Sequence, residues 1–157
     1  MLAAAVLFGA AACGSSASSG GSAAPTVATR QSASLGTTVL VNAKGHTLYT
    51  LSAERNGRFI CTSSSMIPGS GATCTSVWHP LMAHGSVSGA GVSSLGTIAR
   101  PDGGRQVTYR GLPLYTFAQD ARPGQAAGNG FRDVGVWQAA TVSGSSAAPS
   151  GGGGYGY

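Results

Sequence analysis

Charged residues are scarce in this chain, and acidic residues are the scarcest. Only 8% of the 157 residues are charged, with four Asp and Glu against nine Lys and Arg, so the formal net charge is +5. The basic residues are scattered and form no run. Because nucleic-acid binding is recognised by a basic stripe or a dedicated fold, we expect no nucleic-acid partner.

Sustained helical periodicity is also missing. The chain contains 26 Gly, which disfavours long helices because Gly loses the most backbone entropy on ordering. After residue 12, no window repeats apolar residues with a period of 3.6, whereas short alternating runs between turn residues are common. The sequence therefore predicts an all-β fold, a small antiparallel domain.

The signatures of common enzyme classes are absent from the sequence. It contains no Gly-x-Ser-x-Gly, no P-loop and no Gly-x-Gly-x-x-Gly that opens a helix. These motifs place nucleophiles and phosphate-binding backbone in known geometries. We therefore predict no catalytic residue and no cofactor.

Turn residues divide the central part of the chain into strands. Residues 37–41 and 46–52 flank the turn at 42–45 and predict a β-hairpin. Two further turns predict a three-stranded meander over residues 95–118, and residues 134–142 predict a last strand. Pro113 lies in the meander and should mark an edge or a strand start.

A tandem repeat organises these strands. Residues 45–54 and 111–120 share Gly, Leu, Tyr and Thr in register, and Glu54 corresponds to Asp120. The repeat predicts two related units, about 37–84 and 95–142, in one domain over 37–142.

Strand parity and loop position assign roles within the two units. Alternation places the aromatic and Leu side of each twin strand in the core, with Tyr49 and Tyr115 on that side. The acids follow in loops, where a carboxylate most simply accepts backbone N–H groups and shapes the turn.

The first residues predict a targeting segment. Residues 1–12 are apolar but shorter than the roughly 20 residues that span a bilayer, and they fit a signal peptide. Ala10-Ala11-Ala12-Cys13 resembles a bacterial lipobox, so we predict lipidation of Cys13. An ordinary secretory signal with a chance Cys is the alternative.

Two segments of low complexity flank the predicted domain. Residues 13–36 and 143–157 are rich in Ser, Ala and Gly, so we expect a flexible tether and a disordered tail. Together with lipidated Cys13, the tether predicts a location at the cell membrane, on its extracytoplasmic face.

The repeat resembles the bacterial secreted repeat of unknown function, a lipoprotein family with a Y-x4-D motif. Tyr115 and Asp120 match the motif, and a Gly-rich loop and Trp137 follow them. In the first unit Trp78 stands in the family's Trp-Pro-Pro-Leu segment, but Glu54 replaces the motif Asp, and His79 takes a position usually filled by Pro. The resemblance implies tandem repeats in a lipoprotein and no established reaction.

Two Cys residues remain beside Cys13. Cys61 and Cys74 are an even pair in an oxidising compartment, which predicts a disulfide. A structural metal site formed with His79 and His84 is the alternative, although the spacing matches no known zinc motif.

The sequence leaves the function open between two classes. The leading hypothesis is a non-catalytic binding or structural role in the cell envelope, with an envelope protein or a glycan as partner. The alternative is a small enzyme or metal-binding protein that uses the Cys/His set or a Glu54/Asp120 pair. Two carboxylates would meet if the units packed about a pseudo-twofold axis, as in glycan hydrolysis or cation binding. Trp78 and Trp137 are expected in the core rather than on a sugar.

Overall fold

The computed structural model describes residues 24–142. The predicted signal peptide, the lipidation site Cys13, most of the tether and the predicted C-terminal tail therefore lie outside the described residues. Within residues 24–142 the regular structure is antiparallel β-strand, apart from one helix of four residues. The all-β prediction is confirmed.

Nine strands and one helix make up the described part. They form three antiparallel sheets with the orders β1-β2, β4-β8-β3-β9 and β5-β6-β7. Their bounds are β1 Val27–Ser32, β2 Thr37–Asn42, β3 Tyr49–Leu51, α1 Cys74–Val77, β4 Trp78–Pro80, β5 Leu95–Ala99, β6 Arg105–Tyr109, β7 Leu112–Pro113, β8 Tyr115–Phe117 and β9 Trp137–Ala139.

The predicted tether is wrong for its last part. Strand β1 lies within residues 13–36 and pairs along its whole length with β2, from Val27 opposite Asn42 to Ser32 opposite Thr37. Three of its six side chains are exposed, and only Val27 and Ala28 at its start pack against the core, so backbone pairing orders most of the strand. The first unit therefore begins at Val27 and not at residue 37.

The predicted hairpin forms, and the predicted meander forms in part. Val41 bridges to Thr47, which closes the hairpin after β2. The meander exists as β5-β6-β7, with Pro113 on the edge strand β7. Its third strand breaks after Pro113, because β8 leaves for the four-stranded sheet. The last strand is shorter than predicted and spans Trp137–Ala139.

The strands of the two units alternate in the four-stranded sheet. Its order β4-β8-β3-β9 places a strand of one unit beside a strand of the other throughout. Tyr49 lies opposite Tyr115 at the centre. On either side, Leu51 lies opposite Trp137 and Phe117 lies opposite Trp78. These equivalent pairings define a pseudo-twofold axis, and neither unit holds two neighbouring strands of this sheet by itself.

The same pseudo-symmetry extends to the outer hairpins, which are the strand pairs β1-β2 and β5-β6. The N–H of Leu81 donates to the carbonyl of Leu114 (2.9 Å), and the N–H of Ala140 donates to that of Leu48 (2.8 Å). The carbonyls of Leu81 and Ala140 in turn accept from the strands β6 and β2 at 2.8 and 2.7 Å. Hydrogen bonds thus connect all three sheets into one body.

Side chains on both sides of the twin strands are buried. Tyr49, Leu51, Tyr115 and Phe117 pack in one cluster with the two Trp residues, as parity predicted. Leu48 and Leu114, which precede the twin strands, are also fully buried, in a second cluster. The outer hairpins cover that side of the chain. Each repeated segment therefore begins with two successive buried residues that point to opposite sides, Leu48 before Tyr49 and Leu114 before Tyr115.

Cys61 and Cys74 form the predicted disulfide, with their Cα atoms 5.2 Å apart. The bridge closes a loop that is mostly exposed and rich in Ser and Thr. Closing so short a loop stabilises the fold by about 3 kcal/mol in the chain-entropy model.

The alternating strands predict that the two units stay together after the chain between them is cut. We would insert a specific protease site between Gly85 and Ser86, which are both exposed. After cleavage the fragments should elute as one species in native size-exclusion chromatography and separate only in denaturant. Two fragments that separate under native conditions, each keeping its β-sheet signal, would contradict the interleaved sheet.

Candidate functional site

Each tyrosine of the repeat motif donates its hydroxyl proton to the acid of the other unit. Tyr49 Oη donates to Asp120 Oδ2 at 2.5 Å, and Tyr115 Oη donates to Glu54 Oε2 at 2.8 Å. All four residues are buried. Because Tyr49 and Tyr115 face each other in an antiparallel ladder, the two contacts are related by the pseudo-twofold axis.

The second oxygen of each acid holds a loop of its own unit. Asp120 Oδ1 accepts the N–H of Ala127 at 2.9 Å. Glu54 Oε1 accepts two successive N–H groups, those of Ile60 and Cys61, both at 2.7 Å. Glu54, which departs from the motif Asp, thus takes one backbone donor more than Asp120. These are the contacts expected of a carboxylate that shapes a loop.

The protons of these hydrogen bonds belong to the tyrosines. Burial, followed by the hydrogen bond to Asp120, raises the pKa of Tyr49 well above its usual value. Burial and the charge of Glu54 raise the pKa of Tyr115 in the same direction. A phenol that donates to a buried carboxylate resists ionisation, because ionisation would place two negative charges side by side.

Arg100 supports only one of the two tyrosine–acid pairs. Its side chain is buried, and its Nη1 donates to Tyr115 Oη at 3.3 Å and to the amide oxygen of Gln106. Its Nη2 donates to the carbonyl of Cys61 at 2.9 Å and to Asp102 at 2.8 Å. Burial lowers the pKa of Arg100, but the hydrogen bonds to Asp102 and Tyr115 outweigh it and leave that pKa raised.

Asp102 is held by Arg100 in an ion pair of 2.7 Å. The hydrogen bond from Arg100 lowers the pKa of Asp102 to about 2. Sequence reasoning missed this pair, because neither Arg100 nor Asp102 has a repeat partner that would draw attention to it.

Asp133 joins the two tryptophans. Trp78 and Trp137 stack with ring centroids 3.9 Å apart and planes 10° apart. Their indole N–H groups donate to the two oxygens of Asp133, at 2.8 Å from Trp78 and 2.7 Å from Trp137. Both tryptophans are fully buried, so the structure places them in the core. Sequence reasoning missed Asp133, which also has no repeat partner.

All four carboxylates of the chain therefore accept hydrogen bonds that hold the fold. The structure directs the oxygens of Glu54 and Asp120 to tyrosines and to loop N–H groups. A joint use of the two carboxylates on a ligand stays a prediction.

The alternative metal site is wrong. Cys61 and Cys74 are joined in a disulfide, so neither sulfur is a thiolate that could ligate a metal. His79 is exposed and its Nε2 contacts the carbonyl of Ser76 at 3.1 Å, and His84 is exposed. Within residues 24–142, no group of three or more His, Cys, Asp or Glu is placed to hold a metal ion.

A small polar pocket lies beside the four-stranded sheet. Its volume is about 190 Å³, and both units contribute to it. Thr50, Ser52 and Arg55 come from the first unit, and Tyr109, Arg110 and Gln138 come from the second. The second unit also contributes the rest of the lining: Leu112, Ala139, Ala140 and Thr141. Thr50 belongs to the sequence repeat, and the sequence singles out none of the other polar residues of the lining, because no pattern distinguishes them from polar residues elsewhere in the chain.

Comparison with known proteins supports the resemblance for the second unit. The family described as "Secreted repeat of unknown function" matches residues 96–141, which contain Tyr115, Asp120 and Trp137. No curated protein matches the chain, and no solved structure does. The predicted resemblance is confirmed over the matched residues, and the description of the family points to an extracellular location.

The described residues add one observation on membrane location. Between residues 24 and 142, no helix is both long and apolar enough to cross a bilayer.

The raised pKa values of Tyr49 and Tyr115 predict a loss of stability at alkaline pH. Their pKa is higher in the folded than in the unfolded chain. Their contribution to the free energy of unfolding is therefore complete below pH 10 and is lost as pH rises above it. Each tyrosine should lower the free energy of unfolding by about 1.4 kcal/mol per pH unit there. Urea unfolding at pH 9, 10 and 11 measures this slope.

The variant Tyr49→Phe is the comparison for that slope. It removes one of the two buried phenols and keeps the ring, so the decline above pH 10 should be shallower than in the unchanged chain. An equal slope in the two proteins would show that the Tyr49 hydroxyl is not protected in the folded state.

Proposed function

We propose that the chain is a lipid-anchored extracytoplasmic β-repeat protein with a non-catalytic binding or structural role in the cell envelope. In this proposal residues 1–12 direct export, Cys13 carries the lipid, and the following residues link the lipid to the domain that begins at Val27. The secreted-repeat match at residues 96–141 and the lipobox-like sequence that ends at Cys13 support it.

The exchange of tyrosine–acid contacts carries the non-catalytic part of this proposal. A general acid or base has to reach a substrate, whereas Glu54 and Asp120 are 1% and 3% exposed. Their oxygens accept from tyrosines and from loop N–H groups. The Y-x4-D motif is therefore best explained as the set of contacts that joins two repeats, and its presence in a sequence indicates this fold and not a reaction.

Substitution of Cys13 tests the anchor. In a bacterial host that processes lipoproteins, the unchanged chain should fractionate with the membrane and partition into the detergent phase of a phase-separating detergent. Cys13→Ser removes the lipidated sulfur and should move most of the protein to the soluble extracytoplasmic fraction, because an apolar segment of this length holds a membrane weakly compared with two acyl chains.

The matched control for that test is Ser15→Ala, which changes a neighbouring small residue and should leave the protein in the membrane fraction. Cys13→Ser protein that remains with the membrane, with no lipid found by mass spectrometry on the unchanged chain, would contradict the anchor.

A further inference from the structure

We propose that the pocket formed by Thr50, Ser52, Arg55, Tyr109, Arg110 and Gln138 binds an anionic sugar, with its carboxylate or phosphate held by the two arginines. This inference names a ligand class for the binding role proposed above, and in that sense it rests on the proposed function.

The pocket lies on the strand pair β3–β9, on the side that points away from the tryptophans. Thr50 and Gln138 are register partners on these two strands, and both are half-buried, while their neighbours Leu51 and Trp137 are buried in the core. Ser52 follows β3, and Tyr109 and Arg110 come from the end of β6 and its turn. The site therefore exists only when the two units are assembled.

Two positive charges at this pocket lack a counter-charge. Every acid of the chain is engaged elsewhere, and Arg100–Asp102 is the one ion pair within residues 24–142. Arg55 and Arg110 are both exposed. Guanidinium groups bind carboxylates and phosphates through pairs of parallel N–H donors, so an anion is the complementary ligand.

Each arginine is positioned by the fold but keeps donors for a ligand. Arg55 Nε donates to the carbonyl of Ser52 at 3.1 Å. Arg110 Nη2 donates to the carbonyl of Val142 at 3.3 Å, and its guanidinium lies 5.1 Å from the ring centroid of Tyr109. One hydrogen bond uses one of the five N–H groups that an arginine carries, so each side chain is oriented while most of its donors remain for a ligand.

The remaining polar groups suit a hydroxylated ligand. The hydroxyls of Thr50 and Ser52 and the amide of Gln138 line the same pocket. Hydroxyl and amide groups both donate and accept hydrogen bonds, which matches the mixed character of sugar hydroxyls. An inorganic anion would bind the arginines only and would leave the hydroxyl and amide groups without a ligand partner.

The pseudo-twofold axis supplies an internal comparison. Thr50 opposite Gln138 corresponds to Thr116 opposite His79. Ser52 and Arg55 correspond to Ala118 and Ala121, one on each side of the motif acid Asp120. The fold is thus built equally well with Ala at both positions.

Three polar residues of this pocket have a polar counterpart in the other unit, since Arg110 corresponds to Lys44 as Thr50 does to Thr116 and Gln138 to His79. The other three, Ser52, Arg55 and Tyr109, correspond to alanines and occur at only one of the two equivalent places. The presence of Arg55 beside Arg110 at one pocket, where the other unit has Ala, is what points to an anionic ligand.

Calorimetric titration of the purified full chain carrying Cys13→Ser tests the inference. The probes are glucuronic acid and glucose 6-phosphate, with glucose and inorganic phosphate as the neutral and sugar-free comparisons. We expect saturable binding of one or both acidic sugars, at least tenfold tighter than of glucose and of inorganic phosphate.

Paired substitutions then locate the binding. Arg55→Gln with Arg110→Gln should weaken binding of the acidic sugar at least tenfold, because both anion contacts are lost. The control Arg58→Gln with Lys44→Gln removes the same charge from exposed positions outside the pocket and should leave binding within about twofold. Circular dichroism should show the same fold in both double variants.

Three results would overturn the inference. They are an absence of saturable binding by either acidic sugar, equal binding of glucose or inorganic phosphate, and an equal loss in the two double variants. None of these depends on the anchor at Cys13, so membrane fractionation still decides the proposed function separately.

Discussion

The reciprocal hydrogen bonds between tyrosines and acids are the constraint on which the fold depends. A buried carboxylate is costly unless hydrogen bonds compensate for the water it loses. Glu54 and Asp120 each receive loop N–H groups from their own unit and a hydroxyl from the other. Neither unit can supply all the hydrogen bonds of its own acid. Neither unit can pair the strands of the four-stranded sheet by itself, because the strands of the two units alternate there. The two repeats are therefore one folding unit, although they read as two in the sequence.

This use of the acids explains the charge of the molecule. The chain has four acidic residues, and each makes a contact that holds two segments of the chain together. Asp133 joins the tryptophans of the two units, and Asp102 holds Arg100 against the loop at Cys61. The remaining basic residues are left on the surface without partners of opposite sign. A positive surface follows from the architecture, and two of its arginines meet at the pocket between the units.

Features that follow from local pattern, repetition or composition could be predicted, and contacts between distant unrepeated residues could not. The strand parity around Tyr49 and Tyr115, the all-β class and the Cys61–Cys74 disulfide follow from local pattern and composition. Strand β1 was missed because its order comes from pairing with β2 and not from its own polar residues. The exchange was missed because Tyr-x4-acid spacing describes residues within one unit, whereas the antiparallel ladder connects each tyrosine to the distant acid. Arg100 and Asp133 carry no repeat signal at all.

A double-mutant cycle on the free energy of unfolding tests the exchange most directly. Tyr49→Phe combined with Asp120→Asn joins residues of different units, and Tyr49→Phe combined with Glu54→Gln joins residues of the same unit. We predict a coupling energy of at least about 1 kcal/mol for the first pair and less than about 0.5 kcal/mol for the second. Strong coupling within the unit and none across units would show that each tyrosine serves its own acid, and the account of two interlocked repeats would be wrong.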